Sequence, residues 1–190
     1  FIVMVLLGGD GRWLPGLMLV SAASAAIGLM AVEFAIILPL MLIFFIGVVE
    51  TATALTANRK TTAVASTVAD LAAQAITLSD TNVTDIFGAA RAIMEPHGSN
   101  NIQIRLTSAS DNGGGNVRVD WSDGYNMAPY SRGQSVNVPP DIVFTNGSVI
   151  IAEVRYTYQS AFTYYAYGDI AMEDKFYARP RRTLVVGRTR

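Results

Sequence analysis

Gly28-Leu29-Met30-Ala31-Val32-Glu33-Phe34-Ala35-Ile36-Ile37-Leu38-Pro39 opens an apolar run that continues to Val49. Residues 29–49 carry one charge, Glu33. At about 1.5 Å per residue, a helix of that length spans the roughly 30 Å hydrocarbon core of a bilayer. An ionisable group inside such a segment costs on the order of 2.5–3.5 kcal/mol at mid-bilayer, so a lone acid there marks a functional position. Pro39 lacks the backbone N–H that would bond the carbonyl of Ala35, which predicts a kink or local opening in the span.

On both sides of this run the composition changes. Residues 1–28 hold a short apolar stretch, a Gly-Gly-Asp-Gly turn and a second apolar stretch from Trp13. They read as a leader or a mis-set N-terminus. Two spans are not expected, because residues 13–49 contain no polar loop for a hairpin. Downstream, the run grades into an amphipathic helix. Val64, Val68, Leu71, Ala72, Ala75 and Ile76 recur at helical spacing, opposite a polar stripe of Thr62, Ser66, Asp70 and Gln74. One long helix over 29–78 is predicted, with many alanines that allow close helix approach. Ser79-Asp80-Thr81-Asn82 supplies cap residues for a second helix over 83–94, stopped by Pro96-His97-Gly98.

The period then shifts to two. Ile102, Ile104 and Leu106 alternate with polar residues, and Val117, Val119 and Trp121 do the same beyond the Asp111–Asn116 turn, predicting a hairpin. Residues 122–148 read as surface loop with one short strand near 135–138. Residues 149–158 form the strongest strand, with Ala152, Val154, Tyr156 and Tyr158 on one face and Ile151, Glu153, Arg155 and Thr157 on the other. Further strands are expected near 162–167 and 170–177. The fold class is therefore α+β: a long N-terminal transmembrane helix, a short second helix and an antiparallel β-sheet. The expected organisation is 1–28 leader, 29–50 transmembrane helix, 51–98 extracytoplasmic helical segment, and 99–190 sheet region with the loop at 122–148.

Chemistry is limited by what the chain lacks. Among its 190 residues there is one histidine and no cysteine, so a zinc site of the usual N/S type is not available. No serine lies in a nucleophile elbow, and no phosphate-cradling G-x-x-x-x-G-K-[ST] loop is present. The Asp111–Asn116 loop lacks the acidic spacing of a calcium loop. A net charge of −1 gives no global field for nucleic acid. The chain reads as a non-enzyme without cofactor. Two surface features stand out. Lys175, Arg179, Arg181, Arg182, Arg188 and Arg190 follow Asp174 with no acid among them, which fits a solvated tail or a contact with lipid headgroups or an acidic partner. Aromatics crowd the sheet region (Trp121, Tyr125, Tyr130, Tyr156, Tyr158, Phe162, Tyr164, Tyr165, Tyr167), as packing or as an adhesive face.

A glycine, a glutamate five residues later, a phenylalanine and an apolar helix leading into an α+β domain resemble the type IV pilin and pseudopilin design. More closely, residues 31–40 resemble the start of the TadE/TadG-like family of tight-adherence (Flp) pilus assembly proteins. The resemblance continues through Asn58-Arg59-Lys60-Thr61-Thr62, Asp70-Leu71-Ala72-Ala73-Gln74, Val119-Asp120-Trp121-Ser122, the strand over 150–158 and Phe176-Tyr177-Ala178-Arg179-Pro180-Arg181. It implies cleavage after Gly28 by a prepilin peptidase in the inner membrane, leaving Leu29 as the new N-terminus. It also implies that Glu33 offsets the amine of a neighbouring subunit's N-terminus, with Phe34 and Pro39 in the same packing segment. The implied partners are the inner membrane, other pilins and pseudopilins and the assembly platform, in a hetero-oligomer. The expected location is the bacterial inner membrane, single-pass, with the C-terminal domain periplasmic or carried into the extracellular pilus. The uncharged stretch 21–27 departs from the family's short basic leader, which leaves open an uncleaved chain acting as an assembly factor. From another class, a membrane-anchored adhesion module fits the same anchor joined to a Tyr-rich domain.

Overall fold

The computed structural model describes residues 14–111, 113, 116–139, 142–143, 146–160 and 168–189. The chain divides into two compact units, Phe1–Val49 and Glu50–Arg190. One element is common to both, the helix α1 over Leu14–Gln74. It begins before the predicted position 29, since the stretch after Pro15 is rich in Leu, Met and Ala, all strong helix formers. Pro15 is tolerated there because the N–H it lacks has no intrahelical partner in a first turn. Pro39 lies inside the helix without interrupting it. Ser21 and Ser24 donate their hydroxyls to the carbonyls of Met18 and Ser21, both at 2.9 Å.

Within the second unit, α1 ends at Gln74 rather than 78. Its expected last turn is taken by another segment: Thr77–Leu78 forms β1, which pairs in parallel with β6 (Gly187–Arg188). The Gly187 N–H donates to the carbonyl of Ile76 at 2.9 Å. The second helix, α2, covers Asp80–Met94 and starts three residues before the predicted 83. Ser79 and Asn82 form a reciprocal capping box, with Ser79 Oγ accepting from the Asn82 N–H at 3.2 Å and Asn82 Oδ1 accepting from the Ser79 N–H at 3.0 Å.

The remaining strands are β2 (Ile102–Asp111), β3 (Val117–Tyr125), β4 (Ser148–Tyr158) and β5 (Ile170–Ala178). They form one antiparallel sheet in the order β3-β2-β4-β5. The predicted hairpin is β2–β3. The short strand expected near 135–138 is reduced to a single bridge between Arg118 and Ser135. The strand expected near 162–167 lies outside the described residues.

Two apolar layers lie on the two faces of this sheet. On one, Ile104, Leu106, Ile150, Ala152, Val154 and Tyr156 join Val64, Val68 and Ala72 of α1 and Ile86, Ala90 and Met94 of α2. The other carries Ala109, Val149 and Ile151, packed by Val136, Val138, Ile142 and Val143. The segment read as surface loop is thus the cover of the second sheet face. Its departure from β3 depends on Gly124, where a Cβ would lie 1.9 Å from the Met127 carbonyl oxygen. No side chain fits there.

Candidate functional site

Among the described residues of the first unit, no side chain is buried. From Leu29 to Val49, fifteen large apolar side chains are exposed, from Leu38 at 38% to Ile36 at 72%. Burying one such side chain is worth about 1.5–3 kcal/mol, so this surface represents tens of kcal/mol that water cannot supply. A helix apolar on all sides belongs in lipid or between other helices. Among the described residues, α1 is the one helix long and apolar enough to cross a membrane.

Glu33 sits on this surface, exposed, with no ion-pair or hydrogen-bond partner among the described residues. Phe34, one position on, is 63% exposed. A Cβ built on Gly28 meets nothing within 4 Å, so packing inside the chain does not require a glycine there. The segment therefore presents Gly28, Leu29, Glu33, Phe34 and Pro39 exposed among the described residues.

Charged groups in the second unit behave differently. Glu50, the first acid after Glu33, accepts a hydrogen bond from the Tyr158 hydroxyl at 3.0 Å. Burial and that carboxylate push the Tyr158 hydroxyl up to about 12. Glu153, nearly buried on the loop-covered face, is flanked by Arg105 and Lys175. Tyr130 stacks its ring under the Arg105 guanidinium at 3.6 Å. Burial raises the Glu153 carboxyl, but the hydrogen bonds and charges of Lys175 and Arg105 outweigh it and hold it below its usual range.

Four of the six basic residues of the C-terminal stretch, Lys175, Arg179, Arg181 and Arg188, are engaged inside the chain, and Arg190 lies outside the described residues. Arg181 pairs with Asp70, and the buried Arg188 bridges Asp80 and Asp123. Lys175 reaches Glu153, and Arg179 Nε donates to the Ile142 carbonyl at 2.9 Å. The acidic partner expected from sequence is, for these residues, the chain's own helices and strands. Carboxylates from four separate segments meet one tail, and only a pairing pattern distant in sequence reveals it. The described aromatics are likewise internal. Trp121 Nε1 donates to the Val186 carbonyl at 2.7 Å, and the Tyr156 hydroxyl donates to the His97 carbonyl. Tyr125 lies 6.1 Å from Phe87 with Arg91 over its ring. Phe162, Tyr164, Tyr165 and Tyr167 lie outside the described residues. Among the described residues, no three His, Asp or Glu side chains converge to hold a metal ion.

Against this geometry, the family model of TadE-like proteins matches residues 28–70. Over that stretch the chain is similar to TadE-like proteins. The matched residues start at Gly28, take in the whole exposed apolar segment and end at Asp70, the partner of Arg181. The match links that stretch to the TadE-like family of the Tad pilus system. The apolar part of the TadE-like segment is consistent with a single-pass membrane anchor. Comparison with curated proteins and with solved structures gives no match.

Proposed function

We propose that this chain is a pseudopilin-like, minor-pilin component of a tight-adherence pilus, anchored once in the bacterial inner membrane with residues 50–190 on the periplasmic side. It works by helix–helix packing through residues 29–49, with other pilins, pseudopilins and the assembly platform as neighbours. The observation that carries this reading is Glu33, a solitary carboxylate without a partner among the described residues, on an otherwise apolar, exposed helix segment inside the TadE-like match.

A carboxylate and an ammonium in a low-dielectric setting each cost several kcal/mol alone, and their attraction offsets part of that cost when they pair. Glu33 is accordingly assigned the free amine of a neighbouring subunit. Processing after Gly28 by a prepilin peptidase supplies such an amine at Leu29, one helical turn before Glu33. Intact-mass measurement of the mature protein is expected to place its N-terminus at Leu29; a mature chain that retains residues 14–28 removes the processing step. Glu33→Ala is expected to abolish incorporation into the pilus while leaving membrane insertion intact. Normal piliation by that variant would overturn the pairing role.

A further inference from the structure

The β2–β3 pairing skips one residue. Ser108 faces Trp121 and Ala109 faces Val119, which leaves Asp120 as the extra residue of a bulge. Bulges re-aim the side chains they carry. Here the Asp120 carboxylate is turned onto two hydroxyls of the adjacent strand, Ser110 Oγ donating to Oδ1 at 2.7 Å and Ser108 Oγ to Oδ2 at 3.4 Å. An ionised carboxylate has about four acceptor positions, so roughly two remain for a ligand.

Asp120 lines a groove of about 600 Å³ together with Tyr130, Arg132 and Val185. Arg132 is held on a tight turn. The Gln134 N–H donates to the Ser131 carbonyl, and Gln134 Oε1 accepts from the Ser131 N–H, both at 3.1 Å. Gly133 follows Arg132 at φ +79°, a conformation that glycine adopts freely. The turn is pinned to the edge of β3, with the Gly133 N–H donating to the Val119 carbonyl at 2.8 Å and the Val119 N–H to the Gln134 carbonyl at 3.0 Å. Among the described residues the Arg132 guanidinium has no hydrogen-bond or ion-pair partner, and it makes no pair with Asp120. The other guanidinium in the groove, Arg188, is engaged with Asp80 and Asp123.

The groove thus holds an organised acceptor and, on a hydrogen-bonded turn, an exposed planar donor fork without a protein partner among the described residues, beside an apolar wall. A bare anion would pair with Arg132 but offer no donor to Asp120. A neutral sugar would satisfy Asp120 and leave Arg132 without a partner. A uronate ring satisfies both, its carboxylate matching the guanidinium fork and its hydroxyls donating to the aspartate. The groove is also an open surface feature, at the end of the sheet opposite Tyr158 and Glu50, as the pairing of Ser110 with Ser148 shows. We propose that this groove binds an acidic polysaccharide, with a uronate carboxylate on Arg132 and ring hydroxyls on Asp120. Such a site lies outside the helix-packing segment and goes beyond the assembly role.

Titration calorimetry on the full chain in lipid nanodiscs tests it, with oligogalacturonate as the probe, neutral dextran oligomers and polyglutamate as controls. Saturable binding of oligogalacturonate is expected, with both controls at least about ten-fold weaker, the scale of one charge-assisted hydrogen bond. Arg132→Ala, on an exposed turn, should weaken binding by about ten-fold or more, and Asp120→Asn by a smaller factor, with circular dichroism unchanged for Arg132→Ala. Absence of saturable oligogalacturonate binding, equal binding of polyglutamate or dextran, or undiminished affinity in Arg132→Ala would each overturn the proposal. Piliation does not enter the readout, so the outcome is separable from the assembly role.

Discussion

Residues 29–49 and residues 50–190 use their side chains in opposite ways. In the first region large apolar groups stand exposed and the one acid has no partner among the described residues. In the second, Ile102, Ile104, Leu106, Val149 and Ile150 are fully buried, and several charges are matched within the chain: Arg105 and Lys175 on Glu153, Arg181 on Asp70, Arg188 on Asp80 and Asp123. A segment whose burial and charge are both incomplete is completed by something outside the chain. That contrast teaches where the interaction surface is before any partner is known.

The contrast is open to direct attack. The largest effect is expected from one substitution made in each region. Leu106→Ala, at a fully buried sheet position, should destabilise the domain by about 2–5 kcal/mol in denaturant unfolding. Leu40→Ala, at an exposed helix position, should change the same unfolding by less than about 0.5 kcal/mol. Equal costs would erase the distinction between the regions.

A smaller effect sharpens it on the electrostatic side. The folded-state pKa of Glu153 lies below its ordinary value of 4.5 because Lys175 and Arg105 outweigh burial. A depressed carboxyl contributes stability that is present above the unfolded pKa and is lost as pH falls through the folded one. Acid unfolding below about pH 4.5 should therefore be shallower in Glu153→Gln than in the parent, read by circular dichroism at each pH. An unchanged pH profile would show that the cluster carries no net coupling.

Much of this was legible from residue patterns, and the failures share a cause. The span, α2 and β2 to β5 follow from local period and caps, which neighbouring residues alone determine. The α1 terminus was misplaced because Ile76 and Thr77 bond to Gly187, more than 100 positions away. Residues 122–148 read as solvent-facing loop because Val136, Val138 and Ile142 are too sparse to show a period, yet they cover Val149 and Ile151. The basic tail read as solvated or as a contact with lipid headgroups or an acidic partner because the acids it pairs with (Asp70, Asp80, Asp123, Glu153) are scattered along the chain. The apolar segment, in contrast, was fully visible, since its meaning lies in what it lacks internally.

The assembly role proposed for residues 29–49 is most directly tested by single-cysteine crosslinking in the native membrane, for which a sequence without cysteine is already suited. Cysteines placed at positions such as 36, 37 and 40 are predicted to crosslink to Tad pilus components, and the yield should fall sharply when Glu33 is replaced by alanine. If no position in this segment captures a protein neighbour, the helix is a lipid-facing tether and the account is wrong.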